Sequence, residues 1–310
     1  MYRAFFNLRA LPFGSSPDPR FLYKMPHIKE ALACLHYGIT ARKGFVVLTG
    51  EVGTGKTTLL RTVLSSFAKD RVSTAIVFNP CLDVLDFLEF VLTDFGVSPN
   101  TRTKSGMLLQ LNRWLINRFR DGGLCAIVVD EAQNLSWELM EEIRLLTNLE
   151  TSSEKLVQIV LSGQPELEEK LRNPRVRQLR QRVALWCRTK PLTGEQTKAY
   201  IAERLRIAGA GELIFTPEAV QLVHQYSKGI PRVINLICEN ALISAFVEEI
   251  KPIPALIVET VSAELVLDDQ PFLISSMELS SSPENTLPAS LSRTINPVAD
   301  SIDFLKESEL

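Results

Sequence analysis

The chain has 310 residues, 45% of them apolar and 23% charged, with a formal net charge of −2. That length carries one large α/β domain plus a smaller one, and the near-neutral balance excludes bulk charge as a reason to bind a polyanion. No apolar stretch approaches the roughly 20 residues that a membrane span needs.

The charge is unevenly spread. Residues 268–310 hold eight acidic and two basic residues, a net of −6, which leaves residues 1–267 at +4. The five cysteines (Cys34, Cys81, Cys125, Cys187 and Cys238) are scattered, mostly in apolar runs, with no C-x-x-C pair. Such usage argues against a zinc site or a disulfide framework and fits a reducing compartment. The N-terminus lacks a signal-peptide core, so a cytoplasmic protein is expected, associated with a membrane only through a partner.

Residues 1–24 form an aromatic arm in which Phe5, Phe6, Phe13, Phe21 and Tyr23 are interleaved with Pro12, Pro17 and Pro19. The prolines argue against a regular helix or central strand. The aromatics suit an arm packed on the core, part of it bordering a bound base. Pro26–Ile39 has helical spacing.

Strand-length apolar runs follow at Phe45–Thr49, Ser73–Phe78, Leu124–Val129, Leu156–Leu161 and Val183–Thr189. Between them lie helical patterns at Lys56–Phe67, Asp83–Phe95, Ser105–Phe119, Trp137–Leu149 and Pro174–Gln181. Alternation with fully apolar strands predicts a parallel sheet covered on both faces, in an α/β domain over residues 25–190. Residues 191–267 read as helix only. Thr193 with Gln196 forms a capping box, and Thr216-Pro217-Glu218 opens a second helix. Further helices are expected over Pro231–Val247 and Ala255–Leu267. Residues 268–310 lose periodicity and read as a disordered tail, with apolar islands at Pro271–Ile274 and Ile302–Leu305.

The stretch F-V-V-L-T-G-E-V-G-T-G-K-T-T carries the strongest signal. Gly50, Gly53, Gly55, Lys56 and Thr57 match the phosphate-binding P-loop, between a strand and a helix as that motif requires. The loop Gly50, Glu51, Val52, Gly53, Thr54 and Gly55 would turn N–H groups toward the phosphates of ATP, with Lys56, Thr57 and Thr58 opening the helix. Lys56 would reach the β- and γ-phosphates, and Thr57 would put its hydroxyl on Mg²⁺.

The third strand ends in Asp130-Glu131. Asp130 would hold the shell of Mg²⁺, and Glu131 would orient and deprotonate the attacking water. The fourth strand ends at Ser162-Gly163-Gln164, at the edge that lines the crevice in parallel sheets. Gln164, ahead of Ser162, could touch the γ-phosphate or the water, or the segment could be an ordinary turn. Between Lys170 and Lys190, Arg172, Arg175, Arg177, Arg180, Arg182 and Arg188 form a basic cluster. It reads as a solvated face, as an arginine finger reaching a neighbour's γ-phosphate, or as a DNA-backbone contact. Arg232, in G-I-P-R at a helix start, could fold over the nucleotide. His27, His36 and His224 read as structural or surface residues.

Together, G-E-V-G-T-G-K-T, V-V-D-E-A-Q-N-L, I-V-L-S-G-Q-P-E-L, V-R-Q-L-R-Q-R and G-I-P-R-V-I-N resemble the AAA+ ATPases of the ExeA or general secretion pathway protein A type. The opening F-F-N-L…P-F…P-D-P-R-F-L-Y is similar to the same group, whose relatives include the TnsC-type transposition ATPases. The resemblance implies a five-stranded sheet of order 5-1-4-3-2, a helical lid, and ATP held between subunits of a ring or filament. It makes Gln164 (or Ser162) the first sensor, Arg232 the second, and Arg182, failing that Arg180, the trans finger. Full-length members of the secretion type carry a transmembrane helix and a peptidoglycan-binding domain after the ATPase. Here an acidic tail follows instead, so a membrane role is expected only through a partner.

The expected function is an ATP-hydrolysing motor or regulator that oligomerises with ATP and serves a bacterial envelope, secretion or polysaccharide-export assembly, with turnover slow until it assembles. The alternatives are a DNA-associated ATPase regulating transposition and a nucleotide-gated scaffold acting through its tail.

Overall fold

The computed structural model describes residues 1–14, 19–21, 23, 25–67, 71–78 and 80–265. The expected tail over 268–310, with its two apolar islands, lies outside the described residues, as does the end of the last expected helix.

Strands β1 (Phe45–Thr49), β2 (Val72–Val77), β3 (Leu124–Val129), β4 (Gln158–Gly163) and β5 (Leu185–Arg188) pair in parallel in the order β2-β3-β4-β1-β5. This is the expected 5-1-4-3-2 order, read from the other edge. Phe45 lies opposite Ile159 and Thr49 opposite Gly163, so β1 and β4 end level and deliver Gly50 and Gln164 to one edge.

Alternation within the apolar runs feeds two cores. Val46, Leu48, Val128 and Val160 face helices α2 (Pro26–Thr40) and α3 (Lys56–Ser66). Phe45, Val47, Ile127, Val129 and Leu161 face α4 (Val84–Asp94), α5 (Lys104–Arg120) and α6 (Trp137–Leu146). Burying each such side chain is worth about 1.5–3 kcal/mol, which is why these strands are apolar on both sides. At Gly38, α2 passes so close to the sheet that a Cβ would meet Val46 Cγ2 at 2.5 Å and Leu185 Cδ1 at 3.2 Å. Gly38→Ala is expected to lower stability by about 1–3 kcal/mol through overpacking. A urea midpoint equal to wild type would contradict that close approach.

The C-terminal helices α9 (Gly194–Ile207), α10 (Pro217–Ser227), α11 (Pro231–Val247) and α12 (Ala255–Glu264) follow. α9 opens on the expected Thr193–Gln196 capping box, and α10 on Thr216 with Pro217 at its first position. Their core, including Tyr200, Ile234, Leu242 and Val258, is continuous with the α2–α3 face of the sheet. The arm packs on this helical region: Phe5 against Phe246 of α11, Phe13 against Phe215 just before α10. Despite the prolines it holds a short helix, α1 (Tyr2–Phe5), which ends well before Pro12.

Beyond the short helix in the arm and small shifts at strand and helix ends, the structure departs from expectation at two places. A helix not foreseen, α7 (Pro165–Arg172), follows β4, and the expected helix Pro174–Gln181 is a 3₁₀ turn at Pro174–Val176 running into the four-residue α8 (Arg177–Arg180). Asn173 causes the break: it leaves helical geometry, its side chain accepts from Arg175 N, and Pro174 cannot donate to the turn before it. The second departure is a disulfide between Cys34 of α2 and Cys187 of β5, against the expectation of no disulfide. The packing of α2 across β5 brings their Cα atoms to 6.4 Å although they lie 153 residues apart in sequence, a proximity no spacing rule reveals.

Candidate nucleotide site

β1 runs into a loop whose backbone requires glycine twice. Gly53 has φ +79° and Gly55 φ +96°, left-handed values that let the chain wrap before α3 begins at Lys56. The loop is pinned from the side by Thr189, just after β5. Its hydroxyl lies 2.7 Å from that of Thr54, and a Cβ on Gly50 would meet it at 1.9 Å.

Lys56 is buried and donates to the carbonyls of Gly50 (2.7 Å) and Glu51 (3.1 Å). Burial lowers its pKa, against the pull of Glu131, Asp130 and Glu51. Thr57 Oγ1 donates to Asp130 Oδ2 at 2.8 Å, and Ser162 Oγ donates to Asp130 Oδ1 at 2.7 Å. Glu131 sits in left-handed backbone, φ 51°. Its Oε2 accepts from Gln133 Nε2 (2.7 Å) and Gln164 Nε2 (3.2 Å). Burial would raise the Glu131 pKa, but those two hydrogen bonds and the Lys56 charge together hold it below the ordinary carboxylate value.

These groups open onto a cavity of about 790 Å³, bordered by the loop residues Val52 to Thr58, by Leu11, Phe13 and Tyr23 of the arm, and by Arg232 and Asn235 of α11. A cavity of that size takes a small-molecule ligand, and a strand–glycine loop–helix turn at its floor suits a phosphate chain.

A family model described as "AAA domain" matches residues 39–171. The chain is an AAA domain protein with the AAA+ fold. The AAA domain places it among P-loop NTPases. It is homologous to a general secretion pathway protein A from Aeromonas hydrophila, 44% identical over 247 residues, which are 79% of this chain and 45% of that protein. The chain thus spans less than half the length of that relative. Among solved structures, Cdc6p from Pyrobaculum aerophilum aligns with TM-score 0.63 at 19% identity, covering 84% of this chain and 74% of that one. ORC2 from Aeropyrum pernix, in ADPNP and ADP complexes, aligns at 0.58 and 15%, covering 80% and 72%. The RuvB branch migration motor of Thermotoga maritima aligns at 0.53 and 17%, covering 79% and 71%. At these identities the likeness is one of fold. No helix among the described residues is long and apolar enough to cross a membrane.

Within this AAA+ frame, both sensor candidates touch the strand-end acids, but different ones: Ser162 touches Asp130, and Gln164 touches Glu131. Arg232 lines the cavity, and its N–H donates to Gly53 O at 3.1 Å. The two finger candidates separate. Arg182 is tied down, with Nη1 donating to Arg144 O (3.3 Å) and to Thr147 Oγ1. Arg180 is exposed and borders a surface pocket of about 280 Å³ with Glu168, Arg172, Trp186 and Arg188.

Sequence reasoning passed over Gln133, Tyr200, Arg204 and Glu239. Gln133 follows Glu131 by two residues, within reach of its carboxylate. Arg204 is buried, donating through Nε to Pro12 O (2.5 Å) and through Nη1 to Tyr200 Oη (2.8 Å), 4.8 Å from the Phe21 ring centroid. It fastens the arm at the cavity wall. A polar stripe on the largely apolar α11, at 232, 235 and 239, was the legible signal for Glu239.

Proposed function

We propose that this AAA+ protein binds and hydrolyses ATP, oligomerises with it, and drives or regulates a bacterial envelope, secretion or polysaccharide-export assembly through a protein partner. The observation that carries the enzymatic part is the cluster Lys56, Thr57, Asp130, Glu131 and Gln164 at one sheet edge. The pathway rests on the homology to general secretion pathway protein A.

In this reading the loop N–H groups and Lys56 hold the phosphates, and Lys56 exchanges its two carbonyl partners for phosphate oxygens. Thr57 and Asp130 fit Mg²⁺: a hydroxyl and a carboxylate 2.8 Å apart form an all-oxygen pair for a hard cation. Among the described residues no group of three or more His, Cys, Asp or Glu could hold a metal, which suits an ion that takes most of its ligands from water and phosphate. Bound there with ATP, Mg²⁺ would neutralise charge on the β- and γ-phosphates. Glu131, ionised and oriented by two glutamines, accepts the proton of the attacking water. Arg232 closes α11 onto the phosphates.

The cations lining the cavity, among the described residues, are Lys56, Arg204 and Arg232, and Arg204 is committed to the arm. A further cation on the γ-phosphate then comes from a neighbouring subunit, and of the two finger candidates Arg180 is the more exposed, whereas Arg182 is tied to Arg144 O and Thr147. Arg180→Ala is expected to abolish assembly-stimulated turnover without loss of stability, whereas Arg182→Ala should lower stability. Mixing Arg180→Ala with Glu131→Gln protomers should restore turnover, because one mixed interface has both an intact acid and an intact finger. A mixture as inactive as its components would count against a finger in trans. Failure of the wild type to enlarge with ATP in light scattering would remove the assembly reading.

One observation favours a second reading, binding of DNA. Arg172, Arg180 and Arg188 flank the half-exposed Trp186 around a single carboxylate, Glu168, which Arg188 already engages through two hydrogen bonds of 2.9 and 2.8 Å. Duplex binding that weakens steeply with salt would support it; no binding at low salt would remove it.

A further inference from the structure

The segment that follows the strand-end acids is anchored by a lysine to which the reaction above gives no part. Glu131 holds a left-handed backbone, φ 51°, which a glutamate keeps only where its surroundings enforce it. The chain then makes a single 3₁₀ turn, Ala132–Asn134, before Ser136 caps α6. So short a turn leaves carbonyls with no helical partner. Lys170, on α7, takes two of them. Its Nζ donates to Gln133 O at 2.9 Å and to Leu135 O. The same ammonium lies 5.1 Å from the centroid of the Trp137 ring, within cation–π range. One charge thus holds residues 133, 135 and 137 at once.

Gln133 carries that anchorage to the acid. Its backbone is held by Lys170, and its side chain is used at both ends. Nε2 donates to Glu131 Oε2 at 2.7 Å, and Oε1 accepts from Gln164 N at 3.1 Å. The fit against β4 is close, since a Cβ on Gly163 would meet Gln133 Oε1 at 2.8 Å. Both bonds form only while the Gln133 backbone stays where Lys170 keeps it. Without them the Glu131 carboxylate is free to turn about its side-chain torsions. Lys170 occupies this place against a cost: burial lowers its pKa, and no carboxylate charge counters the shift.

We propose that Lys170 is a positioning residue for ATP hydrolysis, holding the Glu131 carboxylate on the attacking water by way of Gln133. This deepens the reading above, on which it rests, that Glu131 is the base. Lys170 is not among the residues that border the cavity, so its influence falls on the water and not on the hold of the nucleotide.

Lys170→Met in the full chain keeps the stem and removes the ammonium. Steady-state turnover and single-turnover phosphate release, with ATP and Mg²⁺, read its effect. kcat is expected to fall about 10–100-fold, the scale of loss when a catalytic group is misplaced by about 1 Å, while KM and ATP affinity stay at the wild-type values. Lys170→Arg, whose guanidinium can donate to both carbonyls and lie on Trp137, should restore most of the rate. The deciding measurement is the double variant. In the Glu131→Gln background Lys170→Met should cost nothing further, because the group it positions is already gone. A further fall there, or a KM that rises as kcat drops, would show general loosening and overturn the proposal. Wild-type kcat in Lys170→Met would overturn it too, and in these cases Glu131 would stand as the base. Wild-type turnover in Glu131→Gln would remove the base and the proposal together. Should Lys170→Met melt well below the wild type, Gln133→Met breaks the same chain of contacts at its other end, and an unchanged kcat in that variant would equally overturn the proposal.

Discussion

Glu131→Gln is expected to cut ATP turnover by about 10²–10⁴-fold, the range a general base contributes, while ATP affinity stays close to wild type. The two effects separate because different atoms carry them. In the proposed reading the loop and Lys56 hold the phosphates, and none of them touches the Glu131 carboxylate by a hydrogen bond. Gln133 and Gln164 both donate to Glu131 Oε2, so among the described residues Oε1 is left to accept from water. Their donation and the Lys56 charge outweigh burial and keep the acid ionised at neutral pH, the state a base requires. Glutamine preserves shape and hydrogen bonding but cannot take the proton. The variant should therefore hold ATP without releasing phosphate and accumulate in the nucleotide-bound assembly. Phosphate release in a single turnover, alongside sizing with ATP, checks both halves. Turnover equal to wild type would show that the water is activated elsewhere.

What the sequence disclosed and what it hid divide along contact range. The P-loop was legible because glycine geometry, the lysine and the helix start lie within one short stretch. Asp130-Glu131 was legible because a buried strand must end where its polar residues begin. The sheet order came from resemblance, and strand ends moved by one or two residues because pairing with neighbours, such as Thr49 opposite Gly163, sets them rather than composition. Helix α7 did have a local signal: Pro165 at its first position, Glu166 and Glu168 in the first turn, Lys170 and Arg172 in the last. A turn reading of Ser162-Gly163-Gln164 masked it.

The rest of the site joins distant segments. Thr189 reaches Thr54 across β1 and β5, Tyr2 reaches Glu239 across nearly the whole chain, and Cys34 meets Cys187. None of these pairs leaves a mark in spacing, because the topology of the fold, not sequence distance, decides what they touch. The same topology explains why the finger was ambiguous. Arg180 and Arg182 are alike in sequence, and only the packing of α8 against α6 shows that Arg182 serves Arg144 O and Thr147.

Lys56→Ala is expected to erase the stabilisation that ATP confers while leaving the nucleotide-free fold close to wild type in stability. Two opposing changes underlie the second half. The substitution strips the Gly50 and Glu51 carbonyls of a donor, which is unfavourable. It also removes a buried ammonium whose desolvation already depresses its pKa, which is favourable. With ATP the balance is lost, because the cation that would meet the β- and γ-phosphates is gone, and with it the charge that offsets four nearby acids, Glu131, Asp130, Glu51 and Glu166. For the wild type, ligand at about a hundredfold over Kd adds about 2.7 kcal/mol to the folded state, a rise easily seen in a melt with ATP and Mg²⁺. The variant should show no rise and no enlargement in light scattering, unlike Glu131→Gln, which should show both. A Lys56→Ala melt that climbs with ATP as far as the wild type's would mean that the triphosphate sits elsewhere, and the cluster around Asp130 would then need another ligand.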